Sequence, residues 1–150
     1  MSTAGDSGFE DRLWARHSNP RSGWSRVPTG AVIVYAIYHR RWRLLLAGLA
    51  WTALNPVLFS PPETENAWMT RAVLAERWWI REEGNRTLGP TYPNVCNAAG
   101  GLAFLYALVA AWRRRPVGAG VGTFLSVGLK LWWLRVLVRR YDARESESVD

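Results

Sequence analysis

From Asn94 to Trp112 the chain runs 19 residues without a charge, "NVCNAAGGLAFLYALVAAW", and then stops on Arg113, Arg114, Arg115 and Pro116. No other stretch narrows the choice of fold as much. A helix needs ~20 predominantly apolar residues to cross a bilayer core. Arginines suit the headgroup layer at its end, and a proline cannot continue it. Three more apolar blocks accompany it: "GAVIVYAIY" (Gly30 to Tyr38), "LLLAGLAWTALNPVLF" (Leu44 to Phe59) and "VGAGVGTFLSVGLKLWWLRVLV" (Val117 to Val138). The first covers roughly half of a spanning length. Asn55-Pro56 interrupts the second, where the ring removes a donor and disfavours helical geometry at Asn55. A kink or helix end is predicted there. Paired around "RRWR" and "RRR", the blocks predict two helical hairpins, although the first pair also fits a re-entrant loop.

Composition supports a membrane setting over the competing soluble bundle with a tryptophan core. Ten residues are Trp, the net charge is +7, and Lys130 is the only lysine. Such a charge expects an anionic partner. Nucleic acid is not expected, because binding it would leave the uncharged run exposed. Asp6, Glu10 and Asp11 precede any apolar run, unlike a secretory signal, so a soluble extracytoplasmic protein is not expected. Cys96 stands alone, which rules out an internal disulfide. Trp14, Arg16, Arg21, Trp24 and Arg26 interleave rings and guanidinium groups as an interface does.

Small residues recur every four positions in two blocks: Ala99, Ala103, Ala107 and Ala111 in one, and Gly118, Gly122 and Ser126 in the other. Such stripes let helix backbones approach closely where lipid removes the hydrophobic drive. The next residue in the second row is Lys130, whose amine should therefore point into the bundle. Between the hairpins lies "WMTRAVLAERWWIREE", bounded by proline, glycine and asparagine. At 100° per residue, Trp68, Met69, Ala72, Val73, Trp79 and Ile80 share one face, with Thr70, Arg77 and Arg81 opposite. Glu76 falls in the middle of the apolar face. A buried carboxylate needs a cation, and Lys130, Arg135 or an N-terminal arginine could supply it. The competing reading is an interfacial helix whose glutamate reaches water.

The chemistry-bearing residues form no established catalytic pattern. His17 and His39 are too few for a metal site, no paired cysteines or P-loop occur, and no G-x-S-x-G elbow is present. "GAGVG" at 118–122 opens an apolar helix with no strand before it, so packing explains it better than phosphate binding. No cofactor and no metal are expected. The polar residues that could converge at one membrane face are Arg16, His17, Asn19, Asn55, Arg71, Glu76 and Arg77. His17 and Glu76 are the candidate general bases, and Arg16, Arg21, Arg26, Arg71 and Arg77 the candidate anion or headgroup ligands. Asn19, Asn55 and Lys130 are candidate structural polar groups.

The segments "WARHSNPRSGWSR", "WTALNPVLFSPP", "WMTRAVLAERWW" and "RRYD", in this order, resemble a family of small membrane proteins found mainly in halophilic archaea and known only as a domain of unknown function. The resemblance covers roughly residues 12–142. It implies a multi-spanning helical membrane protein and supplies no activity, substrate or cofactor.

The expected protein is all-α: a membrane bundle of about four hydrophobic helices in two hairpins, plus one interfacial amphipathic helix. An aromatic-basic segment at 1–26 precedes a single domain at 27–140, and a polar tail follows at 141–150. Helices are expected near 28–39, 43–59, 66–83, 94–112 and 117–139. A non-enzymatic role (scaffold, accessory subunit or lipid organiser) in a multi-pass protein of the cell membrane leads. An enzyme acting on a lipid headgroup or anionic amphiphile through His17, Glu76 and arginine is the alternative. An oligomeric transporter or channel comes third. The expected partners are the bilayer, anionic headgroups, and a second copy or another membrane protein.

Overall fold

A computed structural model describes residues 4–147, which contain helices and loops and no strand. Residues 1–3 and 148–150 of the expected polar ends lie outside the described residues. Seven helices follow in order: α1 (Ala4–His17), α2 (Pro20–Arg26), α3 (Thr29–Tyr38), α4 (Trp42–Leu58), α5 (Trp68–Arg81), α6 (Asn94–Trp112) and α7 (Pro116–Glu147). The N-terminal segment is thus two helices. The break falls at Ser18–Asn19, and "PRSG" opens α2. Pro20 occupies the first turn, and the Asn19 side chain accepts a hydrogen bond from the Arg21 N–H (2.9 Å). Both are standard ways of starting a helix.

The two hairpin turns are alike. Arg40 and Arg114 adopt the left-handed conformation (φ 57° and 54°). The N–H of the residue after each reaches back to close the helix, Arg41 to the Ala36 carbonyl and Arg115 to the Ala110 carbonyl, both at 2.8 Å. Glycine is the residue such a cap prefers. Arg40 ties the tips together: its Nη2 donates to the Trp112 carbonyl (2.7 Å), and its guanidinium lies 4.1 Å from the Trp112 ring.

α6 and α7 form the most extensive helix pair. A methyl group at Gly122 would stand 2.9 Å from both the Ala103 carbonyl and the Ala107 Cβ, so only glycine permits this approach. At Gly118 it would meet Ala110 Cβ at 3.1 Å. α3 packs on α4, α6 and α7. Within the bundle α4 leans on α3 alone, where Gly48 admits Ile33. Over one end of these four helices lie α1, α2 and α5, with α5 packed against the second half of α7. Met69, Ala72, Ala75, Trp78 and Trp79 of α5 form one core with Trp133, Leu134, Leu137 and Val138 of α7. Asn94 joins it by accepting from two indole N–H groups, Trp79 (3.2 Å) and Trp133 (3.3 Å).

Three expectations need correction. Only α6 and α7 are long and apolar enough to cross a membrane among the described residues, not four helices. α3 has 10 residues and α4 has 17, short of the ~20 required. Pro56 sits in the last turn of α4, which stops at Leu58, so the helix end expected beside it falls within that turn. The tail is helical to Glu147: Tyr141 packs on Trp78, Arg71 bonds Asp142 (2.5 Å), and Arg144 pairs with Glu82 (2.7 Å). These contacts make the polar end of α7 a partner of α5. Thr70 is also fully buried rather than facing water, because α5 is covered from both the α2 and the α7 sides.

The α6–α7 contact makes a direct prediction. Gly122→Ala should destabilise the protein by about 1–3 kcal/mol through overpacking. Gly120→Ala, where an added methyl group meets nothing within 4 Å, should stabilise it by up to ~1 kcal/mol through helix propensity. Unfolding in mild detergent measures both, and equal responses would contradict the close approach.

Candidate anion-binding cavity

Glu76 and Lys130 meet in the wall of a cavity of about 450 Å³. Its walls come from every helix but α4: His17 of α1, Gly23 and Arg26 of α2, Gly30 of α3, Met69, Val73 and Glu76 of α5, Phe104 of α6, and the inward side of α7 between Thr123 and Leu134. Gly23 brings α2 onto Met69, where a side chain of any size would collide. Lys130 reaches the cavity because it continues the row of Gly118, Gly122 and Ser126 that faces inward. Its Nζ lies 3.6 Å from Glu76 Oε1 and 4.1 Å from the centre of the Trp133 ring. The ring face and the carboxylate both hold the amine in this position. Arg135, the other candidate on α7, is exposed.

Arg26 and His17 form the opposite wall. Arg26 Nη1 lies 2.6 Å from His17 Nε2 and 2.8 Å from Nδ1, while its Nε donates to the Ser22 carbonyl (3.3 Å). Burial, with the charges of Arg26 and then Lys130 added, holds the His17 imidazole well below its ordinary value, at about 4. At neutral pH the ring is therefore uncharged, and its free nitrogen accepts from Arg26. Burial also lowers Arg26 from its ordinary value, with Glu76 acting in the opposite sense. The site thus gathers two cations, one carboxylate and a neutral imidazole over an apolar floor of Met69, Val73, Phe104, Val127, Leu131 and Leu134. Its fixed charge is one positive unit.

The other candidate residues lie elsewhere. Arg16 donates to the Val57 carbonyl (3.0 Å), and Asn19 to the Ser60 carbonyl (2.9 Å), so both pin the end of α4. Arg21 is exposed. Arg71 bonds Asp142, and Arg77 bonds Asp11 (2.6 Å), leaving neither at the cavity. Asn55 is completely buried, but between α2 and α4. Its amide satisfies every neighbour when the nitrogen faces Ser22 Oγ (2.6 Å) and the oxygen faces Ser25 Oγ (2.8 Å) and the Trp51 N–H (3.3 Å). A set of seven polar residues converging at one face is therefore not what forms; of that set only His17 and Glu76 line the cavity. Thr123 and Ser126 belong to the cavity and were missed, as was Asn94 to the core. The small-residue row containing Ser126 was the available signal for it.

An all-helical protein of two arginine-tipped hairpins, roofed by three further helices, is the class these features define. The whole chain but its last residues, 1–143, matches the model of a family of unknown function (DUF6653), and the protein belongs to that family. No curated protein and no solved structure matches it.

His17 carries a pH signature. Its folded value lies below the unfolded one of 6.5, so the unfolded chain binds the extra proton first. The stabilisation is complete above about pH 7 and should fall as pH drops from 6.5 towards 4. Thermal midpoints in detergent at pH 7.5, 6 and 5 should decline for the native chain and flatten for His17→Gln between 7.5 and 5. Parallel curves would contradict a neutral buried ring.

Proposed function

We propose that this is a non-enzymatic integral membrane protein, with α3, α4, α6 and α7 embedded and α1, α2 and α5 lying at one interface as a lipid-organising or accessory layer. One observation carries the reading: the outward faces of α4, α6 and the first half of α7 are dominated by apolar side chains. Leu46 is 67% exposed, Leu102 68% and Phe124 79%, and Leu49, Leu54, Leu105, Val109, Val117 and Val121 continue the surface. A water-soluble monomer does not expose a contiguous apolar surface on this scale. α6 rises about 28 Å over its 19 residues, close to the ~30 Å of hydrocarbon.

The ends of this apolar band support the same reading. Arg40, Arg41, Arg43 and Arg113 to Arg115 gather at one end with Trp42 and Trp112, whose rings stand 6.2 Å apart. The turns themselves would favour glycine at Arg40 and Arg114, so the reason for arginine lies outside the turn. Headgroup phosphates provide one. The short helices are accommodated because α3 starts beneath α2 rather than at the opposite surface.

A second reading, an enzyme acting on a headgroup or other anionic amphiphile, draws on His17 and Glu76 sharing one cavity with Arg26 and Lys130. It requires turnover that disappears in Glu76→Gln and His17→Gln while the fold persists.

The membrane reading is tested with a Cys96→Ser chain carrying one new cysteine at Leu46, Leu102 or Arg114. In opened membranes a water-soluble maleimide should label Arg114→Cys and leave Leu46→Cys and Leu102→Cys unlabelled until detergent is added. All three positions are exposed on the protein itself, so equal labelling without detergent would mean that no lipid covers the apolar faces.

A further inference from the structure

The charged cavity does not stand alone. A second hollow, about 550 Å³, runs between α3 and α7 and shares Val27, Thr123 and Val127 with the first. Its remaining wall is Pro28, Ala31, Val34, Tyr35 and Tyr38 on one side and Pro116, Ala119, Gly120 and Phe124 on the other. Among these residues there is no ionisable acid or base apart from the two tyrosines. From Val127 to Pro116 the groove follows about 16 Å of α7 towards the arginine tips. The protein therefore offers a polar chamber with one unit of excess positive charge, opening onto a long, shallow apolar groove.

We infer that the two hollows are one binding site for an anionic amphiphile, with its phosphate or carboxylate held between Arg26 and Lys130 and its hydrocarbon chain laid in the α3–α7 groove. The inference rests on the membrane reading and deepens it by naming the class of lipid the protein holds. Each part of the ligand answers a feature of the walls. Both cavities fall within the ~300–1,000 Å³ typical of small-molecule sites. Arg26 offers a planar fork for two oxygens, and Lys130 a point charge that the Trp133 face keeps in place. Glu76 fixes the lysine and limits the site's excess positive charge to one unit. Thr123 lies where the two hollows join; its hydroxyl donates to the Ala119 carbonyl of its own helix (2.7 Å) and would have to turn from that carbonyl to reach the anion. A neutral His17 neither repels a bound cationic group nor adds a second positive charge, so it sets the total without neutralising the anion. A zwitterionic headgroup would put its cation against Arg26 or Lys130.

The purified full-length protein in a mild nonionic detergent provides the test, with thermal unfolding as the readout. Dodecyl phosphate is the probe; inorganic phosphate supplies the headgroup alone, and dodecyl phosphocholine the same chain with a balanced charge. Dodecyl phosphate near a hundredfold excess over its Kd should raise the Tm by roughly 5–10 °C. Inorganic phosphate and dodecyl phosphocholine should leave it within about one degree. Lys130→Met should abolish the shift. Because that change also removes the partner of Glu76, Gly120→Leu serves as the second variant: it fills the groove from a position where an added Cβ meets nothing within 4 Å. Gly120→Leu should keep or slightly raise the ligand-free Tm, as replacing a helical glycine does, and lose the shift. An equal shift with inorganic phosphate would reduce the site to a free-anion site, and an equal shift with dodecyl phosphocholine would reduce it to a detergent groove. A full shift in Gly120→Leu would remove the chain from the groove. Any of these overturns the proposal while leaving the cysteine-labelling result, and so the membrane reading, untouched.

Discussion

The contact between α6 and α7 sets the rest of the molecule. Gly122 lies so close to Ala103 and Ala107 that the two backbones touch without intervening side chains. That closeness fixes the rotation of α7 about its own axis, because only the row of Gly118, Gly122 and Ser126 can face α6. Rotation then decides everything farther along the helix. Lys130 is carried inward to Glu76, and Trp133 and Leu137 are turned beneath α5, where both become fully buried. In lipid, where apolar side chains gain nothing by leaving their solvent, such close packing is the available source of specificity.

The polar groups divide by what surrounds them. Asn55 and Asn94 are buried amides that tie helices through serine hydroxyls and indole N–H groups, and each leaves few of its hydrogen-bonding atoms unused. Arg71, Arg77 and Arg144 form partly exposed ion pairs with Asp142, Asp11 and Glu82. Pairs of that kind contribute little individually, typically under ~1 kcal/mol, and act here mainly to orient the roof of α1, α5 and the end of α7. Glu76 and Lys130 differ from both groups. Their walls are largely apolar, their separation of 3.6 Å is long for a charge-assisted bond, and open volume lies beside them. Such a pair is held loosely enough to admit a third charged group.

Much of this architecture was legible in the residues, and the reason is periodicity. The uncharged run and its arginine stop mark out α6, and four-residue spacing marks the surfaces by which α6 and α7 meet. Lys130 could be placed inside from helix geometry alone, but it was only one candidate partner for Glu76 beside Arg135 and the N-terminal arginines. The arginines were less legible. Arg16, Arg26, Arg71 and Arg77 look alike in the chain, since any long cation flanked by tryptophan suits an interface. What separates them is which acceptor lies nearest: a Val57 carbonyl, the His17 ring, Asp142 and Asp11, contributed by segments 9 to 71 residues away. The extension of α7 through "DARESE" was hidden for the same reason. Its composition resembles a solvated tail, and its order comes from Arg71, Glu82 and Trp78 on another helix.

By itself the sequence determined that the protein is all-helical, that two hairpins end in arginine, and which face of α7 is inward. All three depend on interactions within one helix or between adjacent ones, where spacing is sufficient. The tertiary structure alone decided that α1, α2 and α5 form a roof, and that Arg26 rather than its four neighbours in charge faces Glu76 and Lys130. It also decided that a charged chamber continues into an apolar groove. A cavity is the space that separate elements fail to fill, and no single element carries a record of it.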